Sequence, residues 1–201
     1  MELDRVRDAY AARAADYVAA VGRIEHAAES DRLRVRDWAR QTAGPHLDVG
    51  CGPGQWTHFL HEAGVDIEGV DPVPEFIALA SDTYPGVRYR VGRAEELGMP
   101  ERTLGGVLAW FSLIHTEPHA IDEALSEFSR VLRVGGSLLL GFFAGSPERP
   151  FAHAVAPAYY WTIAALTERL ERAEFRVVRS WERAEPGARP VGAIVAQVPR
   201  A

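Results

Sequence analysis

The run Leu47-Asp48-Val49-Gly50-Cys51-Gly52-Pro53-Gly54 constrains this chain more than any other stretch. A short apolar segment breaks into alternating glycines, then gives way to a helical pattern with Trp56, Phe59, Leu60 and Ala63 on one face. That is a buried strand, a tight turn and a helix start. Glycines lack Cβ, so a ligand can press against their backbone, and N–H groups at a helix N-terminus favour a negative group. A nucleotide-like cofactor fits such a turn. The spacing is G-x-G-x-G rather than the G-x-G-x-x-G of dinucleotide binders. Pro53 also removes one amide from the turn that would have to hold a pyrophosphate. Asp48, at the strand end, would repel phosphate and attract a cation. The turn therefore suits a zwitterion, such as the amino and carboxylate groups of methionine.

A second strand, Ile67-Glu68-Gly69-Val70-Asp71, follows the helix. Asp71 comes about 20 residues after the glycine turn, the spacing at which a carboxylate accepts hydrogen bonds from ribose hydroxyls. The other reading of Asp71 is a cap for the helix predicted at 73–84, whose buried stripe is Val73, Phe76, Ile77, Ala80 and Tyr84.

Leu47 to Gly54, followed by Ile67 to Pro72, resembles motifs I and II of the class I S-adenosylmethionine-dependent methyltransferases, near their broad small-molecule branch. The likeness continues through Gly92 to Leu97, Leu108 to His115 and Leu132 to Gly136, covering roughly residues 40 to 145. It implies an α/β, Rossmann-like three-layer sandwich. The expected sheet is mostly parallel and seven-stranded, with helices on both faces and a C-terminal antiparallel β-pair. The implied cofactor is S-adenosyl-L-methionine, with S-adenosyl-L-homocysteine as product. Its site would comprise Asp48, Gly50, Gly52, Gly54, Asp71, Pro72, Ala94, Glu95 and Trp110. In this scheme the Ala94 amide and the Glu95 carboxylate reach the adenine. Without the resemblance, residues 92–95 read as a helix start with an exposed Glu pair. One departure stands out: many relatives carry Phe-Asp just before the fourth strand, where this chain has Leu104-Gly105.

The 201 residues read as a single domain. Residues 1–43 form a helical cap or lid segment, 44–144 the cofactor-binding core, and 145–201 a substrate-side insertion and closing strands. Tyr10 and Tyr17 lie in the Ala- and Arg-rich N-terminal segment. They are either packing residues of a surface helix or, by the resemblance, parts of a lid near the methionine end of the cofactor. Ser30 or Asp31 can cap the next helix. Val107 to Phe111 reads as the fourth strand, and ligands collect outside the carboxyl ends of strands in an open parallel sheet. His115 follows it and is the first candidate for a general base, with His119, His153 and Tyr159 behind it; the bland reading is a hydrogen-bonded structural histidine. Tyr10, Tyr17, His115 and Tyr159 are the candidate acceptor-binding residues. Glu117-Pro118 opens a helix that Gly135-Gly136 ends. Ser137 to Phe143 is a fifth strand, and Phe151 to Trp161 is an aromatic insertion over the substrate pocket or ordinary packing.

Several classes are excluded. A formal charge of −6 argues against a nucleic-acid surface. All 22 basic residues other than histidine are Arg, which reads as the codon bias of a GC-rich bacterium. One cysteine, Cys51, rules out an internal disulfide and a multi-cysteine zinc site. His58 and His61 are three apart on a helix, but no third ligand supports a metal, and both read as solvent-facing. No apolar run reaches membrane-spanning length, so a cytoplasmic monomer or homodimer acting on a small-molecule methyl acceptor is expected. Two rival readings remain: an S-adenosylmethionine-binding regulator without catalysis, and an NAD(P)-dependent oxidoreductase.

Overall fold

The computed structural model describes residues 2–13, 18, 22–146 and 150–200. Helix α1 (Glu2–Ala12) and a 3-10 turn (Ile24–His26) precede helix α2 (Glu29–Gln41). Then come β1 (His46–Val49), α3 (Gln55–Glu62), β2 (Ile67–Asp71), α4 (Pro74–Thr83) and β3 (Arg88–Val91). The second half runs β4 (Leu104–Trp110), α5 (Ile121–Val131), β5 (Leu132–Ala144), β6 (Pro150–Phe151), β7 (Ala158–Trp161), α6 (Ile163–Arg172), β8 (Arg176–Arg183) and β9 (Val191–Gln197).

The main sheet runs β3-β2-β1-β4-β5, all parallel, and continues through antiparallel β9 to β8. Those seven strands are the ones expected. Strand side chains alternate between faces, and the two faces bury separate clusters. Leu138 and Leu140 join Leu125, Phe128, Leu166 and Leu170 on one side. Leu139 and Leu108 join Val35, Trp38, Trp56 and Leu60 on the other. Helix α5 buries Ile121, Ala124, Leu125, Phe128 and Val131, an i, i+3, i+4, i+7 stripe.

Four local expectations change. Glu117-Pro118 forms a turn, and the helix proper begins at Ile121. Gly135-Gly136 does not end that helix. The chain passes straight from Val131 into β5, because Leu132 pairs with Leu104 and draws the glycines into strand, with φ of 74° at Gly135. Strand β4 accordingly starts at Leu104 rather than Val107. Asp31 does not cap α2, whose cap position is Ala28; its carboxylate accepts instead from Arg183 Nη2 at 2.8 Å.

The sheet also gains β6 and β7, giving nine strands among the described residues. β7 pairs with Phe143 and Ala144 of β5, beyond the point where Trp110 pairs with Gly141. The Tyr159 N–H donates to the Ile114 carbonyl at 2.8 Å. The aromatic insertion is therefore tied to the segment that follows β4.

Leu104-Gly105 has a packing reason. A Cβ at Gly105 would lie 1.9 Å from the Ala43 carbonyl oxygen. The glycine lets the α2–β1 link cross directly over β4, and its N–H donates to Pro45 O at 2.8 Å.

Candidate active site

The chain finishes β3 at one edge of the sheet and crosses to β4 beside β1, so the strand order reverses between β1 and β4. Ligand sites in open α/β sheets lie outside the strand ends at such a switch point. A cavity of about 690 Å³ opens there, within the ~300–1,000 Å³ range of small-molecule sites. Asp48, Gly50, Gly52, Asp71, Pro72, Ala94, Glu95, Trp110, Tyr10 and His115 all line it.

Three expected residues do not appear in that wall. Tyr17 lies outside the described residues. Tyr159 belongs to β7, where its main chain pairs with Pro150 and Ile114. Gly54 sits under Tyr89, whose hydroxyl donates to the Gly54 carbonyl at 3.2 Å. With φ of 86° at the N-cap of α3, Gly54 shapes the turn from behind.

The turn spends most of its main-chain donors inside the protein. The Gly50 and Cys51 N–H groups donate to Val70 O at 2.7 and 3.1 Å, and Gly52 N–H donates to Asp71 Oδ2 at 2.8 Å. The expectation of bare turn amides therefore fails for these three, because β2 takes them. Gln55 and Trp56, in the first turn of α3, line the cavity beside the glycine turn. What Gly50 supplies is proximity: a Cβ there would lie 2.2 Å from Ser112 Cβ.

Asp71 joins two elements. Its Oδ1 accepts from Val73 N–H at 2.9 Å while Oδ2 holds Gly52. Asp71 does not cap α4, whose N-cap is Val73 with no side-chain hydrogen bond; each of its oxygens keeps a second lone pair. Burial pushes its carboxyl up to about 6, against the pull of the two amides. Asp48 is buried more deeply. Thr57 Oγ1 donates to its Oδ2 at 2.7 Å. Burial still raises its carboxyl to about 7, with the neighbouring Asp71 adding to the rise. Burial likewise pushes the Cys51 thiol well up, so it is no nucleophile.

These shifts fix a pH response. Both carboxyls have folded pKa values above their unfolded ones. They favour folding below about pH 4, and that contribution is lost as pH rises through 6 and 7. Asp48→Asn is therefore expected to stabilise the ligand-free protein at pH 8 by ~1–2 kcal/mol, or roughly 2–8 °C in Tm, with little effect at pH 5. Thermal melts at the two pH values check this. A variant no more stable than the native chain at pH 8 contradicts it.

His115 is held at both nitrogens. Nδ1 lies 2.7 Å from the Pro157 carbonyl, which can only accept, so Nδ1 carries the proton. Nε2 lies 2.8 Å from the Tyr10 hydroxyl and must accept from it. Burial lowers the imidazole to about 4, so it is neutral near pH 7. Its one basic nitrogen is already occupied by Tyr10. Of the other candidate bases, His119 is exposed and beside Glu117, away from the cavity, whereas His153 lines it. His58 does not face solvent freely; it stacks on Tyr84 with ring centroids 4.2 Å apart. Among the described residues, no group of three or more His, Cys, Asp or Glu could hold a metal ion.

Sequence reasoning missed Asp31, Phe143 and Arg183 in the wall. Arg183 comes from the end of β8 and pairs with Asp31, a contact with no local signal. Phe111, at the rim expected beyond the fourth strand, lines the cavity as well, but its backbone conformation left no sequence signal. It has φ of 58°, a left-handed conformation for a non-glycine residue at the exit of β4. That costs of order 1–3 kcal/mol and tends to occur at functional sites.

Comparison with known proteins gives a consistent picture. Residues 47–136 match a family described as a methyltransferase domain. An uncharacterized methyltransferase of Mycobacterium tuberculosis is 34% identical over 125 residues, 59% of this chain and 48% of that protein. A demethylmenaquinone methyltransferase of Chlorobaculum tepidum is 33% identical over 91 residues, 45% of this chain and 37% of that protein. The chain thus spans less than half the length of these curated relatives. Among solved structures, Burkholderia thailandensis 1,6-didemethyltoxoflavin-N1-methyltransferase, with 1,6-didemethyltoxoflavin and S-adenosylhomocysteine bound, superposes with a TM-score of 0.78 at 24% identity. The match covers 98% of this chain and 89% of that one.

Proposed function

We infer that this chain, which belongs to the class I S-adenosylmethionine-dependent methyltransferase family, transfers a methyl group from S-adenosylmethionine to a small-molecule acceptor. The observation that carries the reading is the cavity at the switch point, with the glycine turn and two buried carboxylates on one wall. A cofactor with two cationic centres, an ammonium and a sulfonium, fits these acids. Burial raises both pKa values, and a nearby cation would favour their charged forms.

When bound, the cofactor supplies the electrophilic methyl group. The chain's own residues bind and orient. Asp71 offers its remaining lone pairs to the ribose, Asp48 supplies negative charge behind Gly50 and Gly52, and residues 92–95 flank the adenine. Trp110 and Phe111 narrow the path from cofactor to acceptor. Alignment of an attacking atom with the sulfur–methyl bond is worth several kcal/mol, up to about 7–11 in favourable cases. We assign His115 to orienting Tyr10 rather than to removing a proton directly, since Nε2 already accepts the Tyr10 hydroxyl. The division into cap, core and acceptor-side segments at 43/44 and 144/145 belongs to the same reading. So does a cytoplasmic, bacterial setting. No helix among the described residues is long and apolar enough to cross a membrane.

Calorimetry tests the proposal. S-adenosylhomocysteine is expected to bind with a micromolar-range constant, about −8 kcal/mol, and NAD to give no heat. Binding of NAD without S-adenosylhomocysteine would favour an oxidoreductase. Binding without turnover over a broad acceptor panel would favour a regulator.

A further inference from the structure

Beyond the cofactor wall, the cavity ends in a run of rings. Tyr10 meets His115 at a centroid distance of 5.5 Å, His115 meets His153 at 5.1 Å, His153 meets Phe143 at 6.0 Å, and Phe143 meets Phe111 at 5.2 Å. All five line the cavity. None carries a full charge near neutral pH, because burial lowers both imidazoles. Four of the contacts' partners come from separate parts of the fold: α1, the segment after β4, β5 and the insertion between β6 and β7.

The wall is also preformed. Tyr10 and His115 are locked by the hydrogen bonds to Nε2 and to Pro157. Phe111 is held by a left-handed backbone, and Phe143 is backed by Phe151 at 5.3 Å. Most of these rings pack edge to face, which leaves faces and edges in fixed directions. A flat π-system can complete such an array with the offset or T-shaped geometry that rings prefer, and a puckered saturated ring cannot.

We propose that this ring-lined end of the cavity is the acceptor subsite and that it selects a planar, conjugated ring molecule, aromatic or heteroaromatic, over saturated or chain-like acceptors. In naming the ligand an acceptor the inference rests on the methyl-transfer reading; the selectivity for flat rings rests on the geometry alone.

A matched pair decides it: 2-naphthol and decahydro-2-naphthol share a carbon skeleton and a hydroxyl and differ in planarity. Burial of apolar surface alone gives the saturated compound no disadvantage. Equilibrium dialysis against the full chain, with and without S-adenosylhomocysteine, is expected to show 2-naphthol bound about tenfold more tightly, the product of two or more ring contacts. Phe143→Leu is expected to cut that preference to about threefold or less while leaving the S-adenosylhomocysteine constant within about twofold, which also shows that the variant folds. Phe111→Leu provides a second, independent variant. Equal or tighter binding of decahydro-2-naphthol, or an unchanged ratio in both variants, overturns the proposal. If S-adenosylhomocysteine does not bind but the naphthol preference and its loss in the variants appear, the methyl-transfer reading falls and the flat-ring subsite stands.

Discussion

Asp71→Ala is expected to weaken S-adenosylhomocysteine binding by about 1–3 kcal/mol, roughly 5- to 150-fold, while changing the stability of the ligand-free protein by less than about 1.5 kcal/mol. The asymmetry follows from two opposing effects on the folded protein itself. Removing the carboxylate orphans the N–H groups of Gly52 and Val73, which it holds at 2.8 and 2.9 Å. It also removes a buried charge that the protein tolerates poorly, since burial lifts its pKa to about 6. The two nearly cancel at neutral pH. In the complex there is no such cancellation, because the sugar hydroxyls lose a charged acceptor and the turn loses its anchor together. Paired calorimetry and thermal melts at pH 8 separate the two readouts. An unchanged dissociation constant would remove Asp71 from the cofactor site. A large stability loss with an unchanged constant would make it only an anchor between the glycine turn and the start of α4.

Gly105→Asp introduces the residue that many relatives carry before the fourth strand, and here it is expected to destabilise the protein by about 3–5 kcal/mol, roughly 6–20 °C in Tm. The new Cβ would sit 1.9 Å from the Ala43 carbonyl oxygen, 2.8 Å from its carbon and 3.2 Å from Gly44 Cα. These are backbone atoms, so relief needs the α2–β1 link to shift, and that link carries the Pro45 carbonyl that accepts from Gly105 and Gly106. The carboxylate would also be buried. Gly105→Ala separates the parts: it keeps the clash without the charge and is expected to cost about 1–3 kcal/mol. Urea denaturation of the alanine variant measures this, and a loss below about 0.5 kcal/mol would mean that the link yields freely.

Some elements were legible because their signals are local. β2 has the bounds read from Ile67-Glu68-Gly69-Val70-Asp71, and α5 buries Ile121, Leu125 and Phe128 at helical spacing, while Leu132, the next residue of that stripe in the sequence, lies in β5. Other elements misled for an equally physical reason. Leu132-Arg133-Val134-Gly135-Gly136 carries turn residues, and nothing within it announces that Leu104 will pair with Leu132. Pro118 suggests a helix start, yet the helix begins three residues later. The short strands β6 and β7 gain their structure from β5 and from Ile114. Hydrogen-bond partners distant in sequence leave no periodic trace.

The candidate site divides the same way. The glycine turn, Asp48 and Asp71 could be read directly, because a strand ending in an acid, followed by glycines that adopt φ values of 72° and 54° without a Cβ penalty, is a constraint on neighbouring residues. The sequence by itself thus determined the α/β order, the glycine turn with its two flanking acids, and the unsuitability of Cys51 for a disulfide. Only the tertiary structure decided that Asp71 and the Val70 carbonyl consume the turn's amides, that Tyr10 occupies the basic nitrogen of His115, and that Arg183 closes on Asp31. Each of those depends on which groups meet across the fold, and in a buried site the partner a polar group finds, more than its own type, sets its charge and its chemistry.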